Sequence, residues 1–300
     1  MRVFLTGATG FIGSRIVPDL IGAGHQVLGL TRSDAGARWL EDAGAKVLRG
    51  TLEDPDSLAR GAALADAVIH TAFDHDFSRY AENCEKDRRA ILAMGAALEG
   101  SDRPFIETSV IGMGIMKAGE PALEQAVDWH HANPRAASEK AGAEVAKRGV
   151  SVAVVRLPQV HDPVRQGLIT WLIEVARAKG VSAYVGDGAN RWPAAHVADV
   201  ARLYRLALEH HEPGARYHAV AEEGVPVRDI AKAIGEGLRV PVVSLSPEAA
   251  ADHFGWLKMF AGLDMPASSD WTRERLGWVP TGPSLIADLK QCDYRPATAK

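Results

Sequence analysis

The residues with the plainest chemical use stand at the start of the chain, in Thr6-Gly7-Ala8-Thr9-Gly10-Phe11-Ile12-Gly13. Glycines at this spacing free a tight turn from Cβ clashes and let the backbone approach a pyrophosphate. A helix that follows adds amide N–H groups and a favourable dipole. About twenty residues further on, where a dinucleotide's adenosine ribose would be held, the chain reads Thr31-Arg32-Ser33-Asp34. Arg32 offers a planar guanidinium to a 2′-phosphate and Ser33 adds a hydroxyl, which favours NADP(H) over NAD(H). Asp34 keeps a ribose-hydroxyl partner, and with it NAD(H), open. Asp74-His75-Asp76 sets an imidazole among carboxylates in a loop expected to face the nicotinamide end. His75 is therefore a candidate proton donor or acceptor, and Asp74 a candidate substrate contact. No metal is expected: there is no HExxH and no cysteine pair, and the adjacent histidines at 130/131 and 210/211 diverge on a helix.

Parallel strands are the elements that must position these groups. Short β-rich runs at Val3 to Leu5, Gln26 to Thr31, Lys46 to Arg49, Ala67 to His70, Pro104 to Thr108 and Val150 to Leu157 alternate with amphipathic stretches. A long helix is expected near Ser78 to Leu98 and another at about Arg135 to Arg148. This is the pattern of βαβ units around a buried parallel sheet. After Pro158 the alternation breaks and prolines and glycines punctuate shorter elements. The expected fold is α/β, with a Rossmann-type doubly wound parallel sheet over residues 1–160. A smaller mixed α/β substrate lobe is expected over 161–300, with some chain crossing back to the sheet. The default ligand site is the cleft between the two.

Composition narrows the partners. The chain has 300 residues, 47% of them hydrophobic, and a net charge of -4, with none of the basic footprint that nucleic acid requires. No apolar run approaches a membrane span. Cys84 and Cys292 form neither a disulfide framework nor a metal pair. The first apolar run meets the glycine turn at once, so no secretory leader is expected and the cytoplasm is the expected compartment.

The glycine motif at the chain's start resembles that of the extended short-chain dehydrogenase/reductase family, which includes NAD(P)-dependent epimerases and dehydratases. The resemblance runs along nearly the whole chain. His70-Thr71-Ala72 is similar to the family's fourth-strand motif beside the cofactor, Thr108-Ser109 to its fifth-strand pair, and Arg156-Leu157-Pro158 with Val160-His161 to its sixth-strand exit. Gly186-Asp187-Gly188, His196-Val197 with Asp199-Val200, and Leu276-Gly277-Trp278 resemble later family segments. The resemblance implies a cofactor wall of Gly7, Thr9, Gly10, Phe11, Ile12, Gly13, Arg32, Ser33, Leu52, Thr71, Ala72, Phe73 and Pro158. It implies Ser109 as a catalytic hydroxyl at a strand end facing the cofactor, His161 as a substrate contact, and a homodimer as an option.

The departures fall on the catalytic helix. Asn133-Pro134-Arg135-Ala136-Ala137-Ser138-Glu139 resembles the family's Pro-Tyr-x-x-Ser-Lys start, with Arg135 in the place of the tyrosine and Glu139 in that of the lysine. An arginine does not act as an acid near neutral pH, although it stabilises an oxyanion electrostatically. Arg135 and Glu139 are thus candidates for a rebuilt site, or simply an i,i+4 ion pair. Where nucleotide-sugar members carry a pyrophosphate-gripping arginine, this chain has Trp192, one place after Arg191. The indole either stacks on an apolar substrate or fills the core. The leading expectation is an NADP-dependent oxidoreductase acting on a small, largely apolar carbonyl or alcohol. A catalytically inactive NADP(H) sensor and an epimerase or dehydratase are the alternatives.

Overall fold

The computed structural model describes residues 1–295. The chain opens as β1 (Arg2–Thr6), α1 (Gly13–Gly22), β2 (Gln26–Thr31), α2 (Asp34–Asp42), β3 (Lys46–Arg49), α3 (Pro55–Ala63) and β4 (Ala67–His70). It continues through α4 (Tyr80–Ala96), β5 (Pro104–Val110), α5 (Ala136–Lys147) and β6 (Ser151–Leu157). These strands pair in parallel in the order β3-β2-β1-β4-β5-β6. The winding direction reverses between β1 and β4, and at such a switch point a crevice opens at the strands' carboxyl ends.

Side-chain alternation along β1 explains the two covered faces. Val3 and Leu5 join a core with Ile16 and Val17 of α1, whereas Phe4 joins Leu58, Ile91 and Phe105 on the other face. All three β1 side chains are fully buried, each stabilising by roughly 1.5–3 kcal/mol.

After β6 come β7 (Gln159–His161), α6 (Leu168–Lys179), β8 (Ser182–Val185), β9 (Arg191–His196), α7 (Val197–Glu209), β10 (Arg216–His218), β11 (Glu222–Pro226), α8 (Val227–Leu238), β12 (Val242–Leu245), α9 (Pro247–Phe254), α10 (Lys258–Ala261), α11 (Asp270–Leu276) and α12 (Leu285–Gln291). β10 adds a seventh strand beside β6, and Leu203 and Tyr204 of α7 pack into the first core. The large unit is therefore discontinuous in sequence. A separate core built on Ile169, Trp192, Ile230, Phe254 and Leu285 organises the smaller lobe around the sheets β11-β9-β7 and β12-β8. Among the described residues no helix is long and apolar enough to cross a membrane.

Candidate dinucleotide cleft and active site

At the switch point the β1–α1 turn is shaped by steric necessity. Gly7 has φ 68°, and a Cβ there would lie 2.7 Å from the Ala72 amide nitrogen and the Thr71 hydroxyl. A Cβ on Gly13 would overlap the Gly7 carbonyl oxygen. The Gly10 amide donates to that same carbonyl at 2.8 Å and closes the turn. These contacts bring β1, the chain leaving β4 and the start of α1 together, as a pyrophosphate cradle requires.

The cradle is the floor of a cleft of about 760 Å³. Gly7, Thr9, Gly10, Phe11, Ile12, Gly13, Arg32, Ser33, Leu52, Thr71, Ala72, Phe73 and Pro158 all line it. Arg32 is exposed in that wall, and no ion pair among the described residues occupies it. Ser33 caps α2, its hydroxyl accepting from the Gly36 amide at 3.0 Å. Asp34 is bonded to Arg49 and is not part of the cleft wall.

Phe73, Asp74 and His75 line the cleft as well. The His75 and Phe73 rings meet edge to face at 5.3 Å. His75 is exposed at the cleft surface, yet desolvation by its neighbours, and then the Arg135 guanidinium, hold its pKa below its ordinary value, which favours the neutral imidazole. Asp74 lines the cleft but accepts from Lys86 at 2.7 Å, and Lys86 also binds Glu53 at 2.7 Å. That ion-pair chain engages the carboxylate expected to contact substrate.

The two departures from the family's catalytic helix do not pair with each other. Arg135 is 4% exposed, lies 4.3 Å from the Phe73 ring centroid and donates to the Thr108 carbonyl at 3.0 Å. Its main partner is Asp87 of α4, which also accepts from Ser138 Oγ at 2.6 Å and bonds His70 Nε2 at 3.0 Å. His70 Nδ1 in turn reaches Thr6 Oγ1 at 2.6 Å. Burial opposes ionisation of Asp87, but Arg135 and His70 outweigh it and hold the carboxyl well below its ordinary range. Glu139 is 1% exposed and accepts from Arg156 at 2.7 and 2.9 Å, with Arg216 at 3.2 Å. Burial raises its pKa, but these arginines bring it below the ordinary value. Neither Arg135 nor Glu139 reaches the cleft wall.

Ser109, expected as the catalytic hydroxyl, is fully buried beside Glu139, whose ionised form it favours; its neighbour Val110 lines the cleft instead. His161 is also fully buried and outside the cleft wall, with Nδ1 bonded to Asp288 of α12 at 2.7 Å. Trp192 is fully buried in the lobe core, its indole N–H donating to the Leu263 carbonyl at 3.2 Å. Of its two readings, core packing is the one the structure shows. The adjacent Arg191 is paired with Asp264. Phe77, Arg165 and Trp171 line the cleft as well and were missed. They come from loops and helix starts with no recurring spacing, so only the third dimension brings them together.

A Rossmann sheet carrying a glycine cradle at its switch point defines a dinucleotide-binding protein. The chain belongs to the NAD(P)H-binding family, whose model matches residues 7–201. It is 48% identical over 295 residues to an uncharacterized protein of Schizosaccharomyces pombe, covering 98% of this chain and 100% of that one. At 27% identity it is similar to the 4-hydroxy-2-methyl-3-oxo-4-farnesyl-3,4-dihydroquinoline-1-oxide ketoreductase of Stigmatella aurantiaca, over 85% of this chain and 80% of that one. In structure it matches the dTDP-glucose 4,6-dehydratase DesIV of Streptomyces venezuelae, with a TM-score of 0.76, 21% identity and coverage of 97% and 95%.

Proposed function

We propose that the protein is an NADP-dependent oxidoreductase that interconverts a small, largely apolar carbonyl and its alcohol. The cleft itself carries this reading: one wall-lining set combines the glycine cradle, Arg32 and Ser33, and His75 beside aromatic rings. The Gly7 and Gly13 positions, where any side chain would collide with the cradle, fit a dinucleotide pyrophosphate. A bound nicotinamide would supply or accept the hydride. Arg32 would pair with a 2′-phosphate, while Asp34, already bonded to Arg49, is the poorer ribose ligand.

His75 handles the proton in this reading. Its lowered pKa makes it a base at neutral pH, suited to taking the alcohol proton in oxidation and returning it in reduction. The neighbouring Phe73 and Phe77 rings favour an apolar substrate. Arg135 and Glu139 hold the catalytic helix in place through Asp87 and Arg156 rather than acting on substrate. The ketoreductase name of the Stigmatella relative agrees with carbonyl reduction.

The burial of both replaced positions favours a second reading, a dinucleotide sensor without turnover. Loss of NADPH absorbance against a panel of apolar ketones separates the two. Turnover that falls at least about a hundredfold in His75→Gln supports the oxidoreductase, within the usual contribution of a general acid–base group. Tight NADPH binding with no turnover on any ketone supports the sensor.

A further inference from the structure

The cleft wall also carries exposed aromatic surface. The loop after β4 brings Phe73, His75 and Phe77 to it, and α6 brings Trp171. Phe77 stacks on Trp256 at 4.6 Å between centroids and 13° between planes. Trp171 meets Trp256 edge-on at 5.9 Å. The chain from β4 is thereby bridged to the small lobe, yet Trp171 and Trp256 remain 44% and 39% exposed. An indole left open to water in the cleft wall, with a second exposed indole packed against it, is surface that a flat ligand would cover.

Arg165 stands in the same wall. It is exposed, and no carboxylate among the described residues pairs with it. The nearby acids are engaged elsewhere: Asp74 with Lys86, and Asp162 with Arg15 at 3.5 Å. Arg165 is close enough to His75 to join desolvation and Arg135 in opposing protonation of the imidazole. An unpaired guanidinium beside a proton-transfer group and open aromatic faces is a recognition element for an anion attached to a ring.

Building on the oxidoreductase reading, we infer that the substrate is an aromatic carbonyl or alcohol carrying a carboxylate. Its ring lies against Trp171 and Phe77, and its carboxylate pairs with Arg165. This modifies the largely apolar substrate of that reading, because it demands a negative charge as well as a π-face.

Calorimetric titration of the full chain saturated with NADP tests it, using 2-naphthoate, neutral 2-acetylnaphthalene and cyclohexanecarboxylate as probes. Naphthoate should bind at least about tenfold more tightly than cyclohexanecarboxylate. Arg165→Gln should weaken naphthoate by about tenfold or more and leave acetylnaphthalene nearly unchanged, as loss of one charge-assisted contact requires. Trp171→Leu should weaken both aromatic probes, and Trp171→Phe should recover most of the loss. Both side chains are exposed, and an unchanged melting temperature shows that the variants fold.

Naphthoate affinity unmoved by either substitution overturns the inference. So does an Arg165→Gln variant that loses affinity for NADP but not for naphthoate, which would make Arg165 a ligand of the cofactor phosphates. Naphthoate binding without turnover of any ketone counts against the oxidoreductase reading alone. Ketone turnover without naphthoate binding counts against this inference alone.

Discussion

The chemistry at the residue scale rests on Arg32 and His75. Arg32 is exposed at the β2–α2 turn without an ion-pair partner among the described residues, so its charge is available to a 2′-phosphate. Arg32→Ala should weaken NADPH binding by about ten- to a hundredfold, the equivalent of one charge-assisted hydrogen bond of roughly 1.5–3 kcal/mol. NADH affinity should stay the same, and parallel calorimetric titrations read both. His75 has its pKa lowered from 6.5 by desolvation and by Arg135, so it is deprotonated across neutral pH. Alcohol oxidation should therefore persist below pH 6.5 and fall only as the imidazole is protonated. Carbonyl reduction, which needs the proton returned, should decline as pH rises. His75→Gln should remove the acid limb of the oxidation profile, which a pH series of kcat/KM measures.

At the scale of elements, two buried ion pairs fix the start of α5. Arg135 fastens the start of α5 to α4 through Asp87, and Glu139 fastens it to β6 through Arg156. Both pairs are buried, so removing one partner strands a charge. Arg135→Met should destabilise by about 3–5 kcal/mol, and the double variant Asp87→Asn/Arg135→Met by distinctly less; urea unfolding compares them. Since burial raises and Arg135 and His70 more strongly lower the Asp87 pKa, that stabilisation is complete above the unfolded carboxyl's ordinary 3.8. It is lost as pH falls toward the folded value. Restoring the family residues with Arg135→Tyr and Glu139→Lys should not raise activity, because Asp87 would lose its cation and Arg156 would face a lysine. The substitutions at 135 and 139 were legible in the sequence, but their partners were not. Asp87 and Arg156 are 48 and 17 residues away, and only the sheet order brings them together. Ser109 shows the same limit: the resemblance put it at a strand end facing the cofactor, but it is the next residue, Val110, that lines the cleft.

For the whole molecule, sequence pattern was most informative where one physical rule dominates. Apolar runs separated by amphipathic helices located the six leading strands, because a doubly covered parallel sheet needs continuous burial. The glycine spacing located the cradle, because no side chain fits at Gly7 or Gly13. The small lobe was harder to read. Its short elements have weak periodicity, and α7 with β10 returns to the large sheet. The cleft wall is assembled from both units, which is why Phe77, Arg165 and Trp171 went unseen. A ligand bridging that cleft should stabilise both units together. NADPH at a hundred times its dissociation constant should add about 2.7 kcal/mol, seen as a rise in melting temperature that Arg32→Ala diminishes at the same concentration. The most direct measurement is isotopic: the protein is incubated with NADPH deuterated at C4 on either face and a panel of apolar and aromatic ketones, and the products are weighed by mass spectrometry. A reductase site predicts an alcohol carrying one deuterium from one of the two faces, and bound NADPH that yields no deuterated product from any ketone would contradict it.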